Sequence, residues 1–350
     1  MQQRRRQRSA DNLWQLLKGN DSHFKMPNDQ SKKVTGLTSP SYVILCHGGA
    51  GEVRSGKEKV VEEGAREAGM KGFSRLESGG SALDAVEECV KSMEDNPNFN
   101  AGTGSVLTFK GTIEMDASIS DGSTLNSGAV AMISHMRHPV SLARIIMEKT
   151  DHVLIVGESA EAIGDKFGLE RCDPKTPERV QMWREAKNRF EKGEVKYLPK
   201  TMNLLRLFPD LTETVGAVAV DANGNCTAAT STGGIMLKLP GRLGDTPVIG
   251  AGNYADSNSA VSCTGIGEVA IRLCLAKTAC DYIGAGALAE ESAKRCIDLV
   301  NTKQAHLDMG VITVDKNCNY GLAHNTKNLV WALQTSEMSN PKSGIKYPRE

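Results

Sequence analysis

The apolar positions of this chain follow two rhythms that change over in blocks. Ser41–His47 is a nearly unbroken apolar run closing on Gly48-Gly49-Ala50-Gly51, which predicts a buried strand entering a tight turn. From Lys57 to Leu76 and from Ser81 to Met93 the apolar residues recur at helical spacing, with Gly79-Gly80 as the break between two helices. A glycine-rich loop, Asn98–Leu107, leads to strand-like Gly111–Ile119. Gly128–Ile133 predicts another strand and Val140–Glu148 a short helix. Between 174 and 213 the texture changes to many lysines and arginines with no strand pattern and an amphipathic stretch, Arg179–Glu191, which predicts a helical, partly mobile connector. Strands resume at Thr214–Val220 and Cys226–Ser231 around Asn223-Gly224, the strongest short hairpin signal. Pro247–Gly252 and Ala260–Gly265 continue the strand-rich half, helical periodicity fills Val269–Ile283 and Ala287–Val300, and Gly310–Asp315 with Tyr320–His324 predicts a closing hairpin. Strands and helices come in groups, so an α+β fold of two packed antiparallel sheets with helices outside is favoured over a doubly wound parallel sheet.

Composition narrows the partners. Lysine plus arginine and aspartate plus glutamate both count 42 in 350 residues, so no global field draws in nucleic acid or an anionic membrane, and a small-molecule substrate is expected. The nine cysteines are odd in number, scattered and never in Cys-x-x-Cys spacing, which predicts reduced thiols in a cytoplasmic setting rather than a disulfide or zinc framework. The seven histidines show no His-Glu-x-x-His pattern, and His135 and His138 have no partner at ligand spacing, so no metal enzyme is expected. No apolar stretch approaches the roughly 18 to 20 residues that cross a bilayer. Residues 1–40 begin with Arg4, Arg5, Arg6 and Arg8, carry one apolar patch at Leu13, Trp14, Leu16 and Leu17, and lack the apolar region of a secretory signal. They read as a disordered basic extension, with an import signal or transit peptide as alternatives.

Thr214 stands at the head of a strand in mid-sequence, just after the basic connector. If the bond to Glu213 is cut, Thr214 carries both an Oγ nucleophile and an α-amine to deprotonate it, a recognised way to activate a weak hydroxyl. The amine, with an ordinary pKa of about 7.7–8.0, is a competent base near neutrality. Thr232, across the expected hairpin, is placed to orient that hydroxyl. Arg242 and Asp245 put a cation and an anion three residues apart in a glycine-rich loop, a pair suited to the α-carboxylate and α-ammonium of an amino acid or to a simple surface salt bridge. Thr264-Gly265-Ile266-Gly267 precedes a helix, where hydroxyl and backbone donors can meet developing negative charge. No lysine follows these glycines, so a P-loop is excluded.

The words His47–Gly51, Phe99–Leu107, Glu114–Ile119, Thr214–Asp221, Ala229–Gly234, Gly241–Asp245 and Val261–Gly265 occur in one order. From about Val43 to about Trp331 the chain thereby resembles the plant-type L-asparaginase and isoaspartyl peptidase family of N-terminal nucleophile hydrolases. The resemblance implies a four-layer αββα sandwich, made as a precursor that cuts itself between Glu213 and Thr214. The products would be an α chain, 41–213, and a β chain, 214–350, assembled as a dimer of αβ heterodimers. It implies Thr214 as nucleophile, Thr232 as its hydroxyl partner, and Thr264 with Gly265 at the oxyanion. Substrate contacts are implied at Arg242, Leu243, Gly244 and Asp245, at Thr264, Gly265, Ile266 and Gly267, and through Asn100, which holds the loop near the nucleophile. No organic cofactor is implied; relatives bind a structural sodium ion through backbone carbonyls of the loop that here contains Asn98, Phe99 and Asn100. The reaction implied is hydrolysis of L-asparagine or of isoaspartyl dipeptides through a β-aspartyl ester.

Three positions depart from the family pattern: Glu213 where glycine is usual, Ile266 where histidine or threonine is usual, and Asn325–Leu329 near the C-terminus. A threonine aspartase-like endopeptidase is the alternative enzyme, favoured by Glu213, Leu237–Arg242 and the basic connector and opposed by Asp245, which suits a free α-amine. An unprocessed, non-catalytic homologue is the alternative outside enzymes.

Overall fold

A computed structural model describes residues 41–192, 214–303 and 307–346; the basic extension and the last part of the connector, with Glu213, lie outside the described residues. In chain order the elements are β1 (Val43–Gly51), α1 (Glu58–Glu77), α2 (Ala82–Glu94), β2 (Met115–Asp121), β3 (Ser127–Ile133), α3 (Pro139–Lys149), β4 (Leu154–Val156), α4 (Glu158–Lys166) and α5 (Pro177–Glu191). After residue 213 come β5 (Val215–Val220), β6 (Cys226–Thr232), β7 (Asn253–Ala255), β8 (Ser259–Gly265), α6 (Gly267–Leu273), α7 (Leu275–Gly284), α8 (Ala289–Lys303), β9 (Met309–Asp315), β10 (Tyr320–His324), β11 (Asn328–Thr335) and β12 (Lys342–Gly344).

Local chemistry sets the boundaries. Ser81 opens α2 with a capping box, its hydroxyl accepting from the Asp84 amide at 3.1 Å while the Asp84 carboxylate accepts from the Ser81 amide at 3.3 Å. Thr176 caps α5 and Pro177 begins it, where a missing N–H leaves no bond unmade. In the β5–β6 turn the Asp221 carboxylate accepts from the amides of Asn223 and Asn225 at 2.9 and 3.1 Å, and Asp315 repeats this with Asn317 and Asn319 in the β9–β10 turn.

Two sheets form, ordered β12-β11-β1-β5-β6-β2-β3-β4 and β10-β9-β8-β7. Side-chain alternation along β1 decides the layers. Val43 and Leu45 enter a cluster with Val218, Val220, Ile312 and Val314 between the two sheets. Ile44 and Cys46 point the other way, into a cluster with Ala65, Val86, Cys89 and Leu142 of α1, α2 and α3. The outer face of the smaller sheet, through Val261, Cys263 and Val311, packs on Leu275, Ala279 and Cys296 of α7 and α8. The order is helix, sheet, sheet, helix, the αββα sandwich.

The structure corrects several expectations in detail. The sheets are not wholly antiparallel: β3 and β4 pair in parallel. Pro247–Gly252 is turn rather than strand, because the chain reverses there to start β7. The long helical run after Gly267 breaks at Cys274, whose φ of 44° ends α6 and starts α7. The hairpin β9–β10 does not close the chain: β11 follows and inserts beside β1.

Candidate active site

The site lies at the polar end of the inter-sheet face. Residues 230 and 232 of β6, 116, 118 and 120 of β2, and 214 before β5 share one parity across adjacent strands, as the register Asp116↔Thr232, Ser118↔Thr230 and Val215↔Ser231 requires. They meet Ser262 and Thr264 of β8 and Asn253 of β7 coming from the second sheet. Thr214 is buried, and its Oγ1 donates to Thr232 Oγ1 at 3.2 Å. Thr232 Oγ1 also accepts from the Gly234 amide at 2.9 Å. The expected hydroxyl pair is therefore in contact.

Thr264 is brought to Thr214 in an unexpected way. Its hydroxyl donates to the carbonyl of Thr214 itself, at 3.3 Å. The same carbonyl is bonded to His47 Nδ1 at 2.9 Å. A carbonyl can only accept, so Nδ1 carries the ring proton, and Nε2 of the neutral ring must accept from Ser262 Oγ at 2.7 Å. With its proton committed, Ser262 accepts from Thr230 Oγ1 at 3.1 Å, which in turn accepts from Asn253 Nδ2 at 3.1 Å. A directed chain of buried hydrogen bonds thus runs from Asn253 across both sheets to the carbonyl of Thr214. Burial, opposed by the bond to that carbonyl, brings the His47 pKa down to about 3, so the ring stays neutral. Gly216 makes room: a Cβ there would stand 2.1 Å from Ser262 Oγ and 2.5 Å from His47 Nε2.

Asn100 bridges two loops. Its Nδ2 donates to Gly234 O at 2.7 Å and its Oδ1 accepts from the Val106 amide at 2.8 Å, tying the glycine-rich loop to the turn after Thr232. In that loop, beside Asn98 and Phe99, the carbonyls of Pro97 and Phe99 converge on Gly104, where a Cβ would lie 2.5 and 2.9 Å from them. Convergent carbonyls of this kind suit a sodium ion. Among the described residues no group of three or more His, Cys, Asp or Glu could hold a metal.

Arg242 and Asp245 do not pair with each other. The guanidinium forms a two-pronged bridge to Glu268, Nε to Oε1 at 3.1 Å and Nη2 to Oε2 at 2.8 Å, which fixes its plane. Asp245 is buried and its Oδ2 has no hydrogen-bond partner among the described residues. Burial above all pushes its carboxyl up to about 7; its own amide and Arg242 oppose the shift, while Glu268 and Asp116 add to it. An unpartnered, desolvated carboxylate is a receptor for an ammonium group. Gly267 opens α6 against it, a Cβ there falling 2.8 Å from Asp245 Oδ1. Of the remaining expected contacts, Gly244 is buried beside Arg242, Leu243 is half-buried, and Ile266 packs into the cluster with Ile235 and Val269.

The far side of β6 carries another carboxyl. Glu94 Oε1 accepts from Ser231 Oγ at 2.6 Å and from the Val140 amide at 3.0 Å, while Oε2 is unpartnered; burial pushes this group up to about 8. Sequence reasoning gave no role to His47, Thr230, Ser262 or Glu268. The available signal was the serines and threonines of β6 and β8, polar residues on strands buried along their whole length.

Comparison with known proteins points to one family. A family model described as Asparaginase matches residues 40–342. The plant-type L-asparaginase of Pyrococcus abyssi is 49% identical over 305 residues, covering 86% of this chain and 99% of that protein. That of Thermococcus kodakarensis is 48% identical over 306 residues, with the same shares. The isoaspartyl peptidase/L-asparaginase of Rattus norvegicus is 40% identical over 294 residues, covering 83% of this chain and 86% of that protein. A threonine heading a central strand of an αββα sandwich, and likeness along nearly the whole length of such relatives, have one common explanation: the chain belongs to the plant-type L-asparaginase and isoaspartyl peptidase family of N-terminal nucleophile hydrolases.

Proposed function

We propose that this protein cuts itself before Thr214 and then hydrolyses the side-chain amide of L-asparagine and the β-peptide bond of isoaspartyl dipeptides. The observation that carries the reading is the contact of Thr214 Oγ1 with Thr232 Oγ1 at 3.2 Å, with the Thr214 carbonyl clamped from two sides. Once the α-amine is free, it takes the Oγ1 proton as Oγ1 bonds to the amide carbon of the substrate. The amine returns that proton to the leaving nitrogen as the C–N bond breaks. A β-aspartyl ester remains on Thr214. Water then adds to the ester carbon, giving up a proton to the amine, and the C–Oγ1 bond breaks as the amine passes that proton to Oγ1, releasing aspartate and restoring the free amine and hydroxyl. Arg242, held in plane by Glu268, receives the α-carboxylate, and Asp245 receives the α-ammonium. That unpartnered carboxylate favours a free amino acid terminus over an internal peptide residue, and so favours this reading over an endopeptidase.

The same proposal includes a dimer of cleaved heterodimers, a sodium ion at the loop of Asn98, Phe99 and Asn100, and a cytoplasmic setting supported by the scattered, odd cysteines. Intact mass spectrometry over several days at neutral pH, with Thr214→Ala as control, tests it. Two fragments meeting at Glu213 and Thr214, absent from the control, and turnover of asparagine and β-Asp-Leu but not of an internal-aspartate peptide, are expected. A chain that stays whole and inactive would identify a non-catalytic homologue.

A further inference from the structure

Beside Thr232, on the same face of the sheet, lies a buried ion pair that the hydrolytic scheme leaves without a task. Asp116 stands opposite Thr232 in the β2–β6 ladder. Its Oδ2 is 3.8 Å from Lys238 Nζ, and both side chains are wholly buried. Lys238 Nζ donates to Glu114 O at 2.6 Å, and Asp116 Oδ1 accepts from the Met132 amide at 3.1 Å. Asp116 Oδ2 has no hydrogen-bond partner among the described residues. Such a pair is a poor source of stability, because desolvation of two charges offsets their attraction, and apolar replacements of both partners are often tolerated. Burial raises the Asp116 carboxyl and lowers the Lys238 ammonium, each shift opposed by the partner's charge.

The backbone around the pair is also strained. Met132 and Leu237 hold φ of 57° and 60°, in the left-handed region that side-chain-bearing residues avoid. The first lies at the irregular part of the β2–β3 pairing, and its amide is the one bonded to Asp116; the second immediately precedes Lys238. Strain of this kind persists where surrounding structure imposes it, and it gathers at functional sites. Lys238 in turn occupies the space beside Gly234, where φ is 83° and a Cβ, had the residue one, would stand 2.8 Å from Nζ. The Gly234 amide is the donor to Thr232 Oγ1.

We propose that Asp116 and Lys238 are a positioning pair for hydrolysis: they brace the Gly234 amide against Thr232 and so fix the hydroxyl that orients Thr214. The inference rests on the function proposed above and adds to it two residues that touch neither substrate nor nucleophile. Lysine is used here as a wedge with a charge, sized to the space that glycine leaves.

The test compares the full-length wild type with Asp116→Asn, Lys238→Met and the double variant, after self-cleavage, on β-Asp-Leu. Each single variant is expected to lower kcat by about 100-fold, the scale of a displaced catalytic group. KM, measured at about pH 8.5 so that Asp245 stays ionised whether or not the Asp116 charge is there to raise it, should stay within about twofold, since the groups that hold Arg242 and Asp245 in place are unchanged. The double variant, which leaves no unpaired buried charge, should recover the thermal midpoint of the wild type without recovering kcat. Recovery of kcat together with stability, or a loss confined to KM, would overturn the proposal. Hydrogen exchange at the Gly234 amide is measured beside this in uncut Thr214→Ala protein, with and without Lys238→Met. At least about tenfold faster exchange is expected without the lysine, matching about 1.4 kcal/mol of lost protection; unchanged exchange would also overturn the bracing. A wild type that turns over no β-aspartyl substrate would sink the proposed function, and the exchange result would still decide the bracing.

Discussion

Replacing Ser262 by alanine tests whether the nucleophile residue is held through a single histidine tautomer. The side chain removed gives one hydrogen bond to His47 Nε2 at 2.7 Å and accepts one from Thr230 Oγ1 at 3.1 Å, both buried. Leaving a buried acceptor without its donor costs about 1–3 kcal/mol, and that is the expected loss of stability. The functional effect follows from the ring. Without Ser262, the tautomer with its proton on Nε2 becomes accessible, and in that form Nδ1 no longer donates to the Thr214 carbonyl. Thr264 remains as the second donor, so the carbonyl is loosened rather than released. A loss of about tenfold in kcat, equivalent to about 1.4 kcal/mol, is expected with KM little changed. Ring-nitrogen NMR of histidine-labelled protein reads the cause directly. In the wild type one neutral ring should keep its proton on Nδ1 from pH 5 to 9, because burial brings the His47 pKa down to about 3. In Ser262→Ala that ring should show mixed tautomers. A His47 that titrates between pH 6 and 7, a wild-type ring protonated on Nε2, or a variant with unchanged stability and turnover would refute the reasoning.

Glu94, pushed up to about 8, binds a proton in the folded protein that the unfolded chain has released above its ordinary 4.5; stability conferred by this group is therefore lost as pH rises from 4.5 to 8, at about 1.4 kcal/mol per unit. Glu94→Gln should flatten that slope in urea titrations at pH 5, 6.5 and 8, and a parallel slope in both proteins would contradict the burial argument. His47 acts oppositely: its folded pKa is depressed, so stability present above 6.5 is lost toward 3. Asp245, at about 7 before substrate arrives, must be ionised to receive an ammonium. KM for β-Asp-Leu should rise up to about tenfold per pH unit below 7, and a KM constant from pH 5 to 8 would remove Asp245 from the binding role.

The parts of the site that depend on neighbours in sequence were legible, and those that depend on register were not. The Asn223-Gly224 turn fixes which residue of β6 faces Thr214, so Thr232 could be found without coordinates. Asp116 becomes a neighbour of Thr232 only when β2 lies beside β6 in one particular register. Glu268 meets Arg242 only because α6 begins where the loop returns. The strand β11 carries a good apolar run, Leu329–Leu333, but its partner β1 is nearly the whole chain away, and long-range pairing leaves no local mark. Cys274 hid the break between α6 and α7, since a cysteine in left-handed conformation replaces the glycine that would have announced it.

The order of strands in the larger sheet sets what the proposed self-cleavage would do to the molecule's history. Strands from before residue 214 are β1, β2, β3 and β4, and those after it are β5, β6, β11 and β12; in the sheet, β1 is enclosed between β11 and β5. The two products of a cut at Thr214 are therefore interleaved, and neither can leave without stripping a central strand of both its ladders. Before the cut, folding is a first-order event of one chain; after it, renaturation needs two chains to find each other, and its rate depends on concentration. A cleaved protein would be held by the barrier to unfolding more than by a reversible equilibrium, and once lost it would not readily be regained by dilution from denaturant. Each molecule would then have one opportunity to fold as a single chain, and it would be used before Thr214 is released.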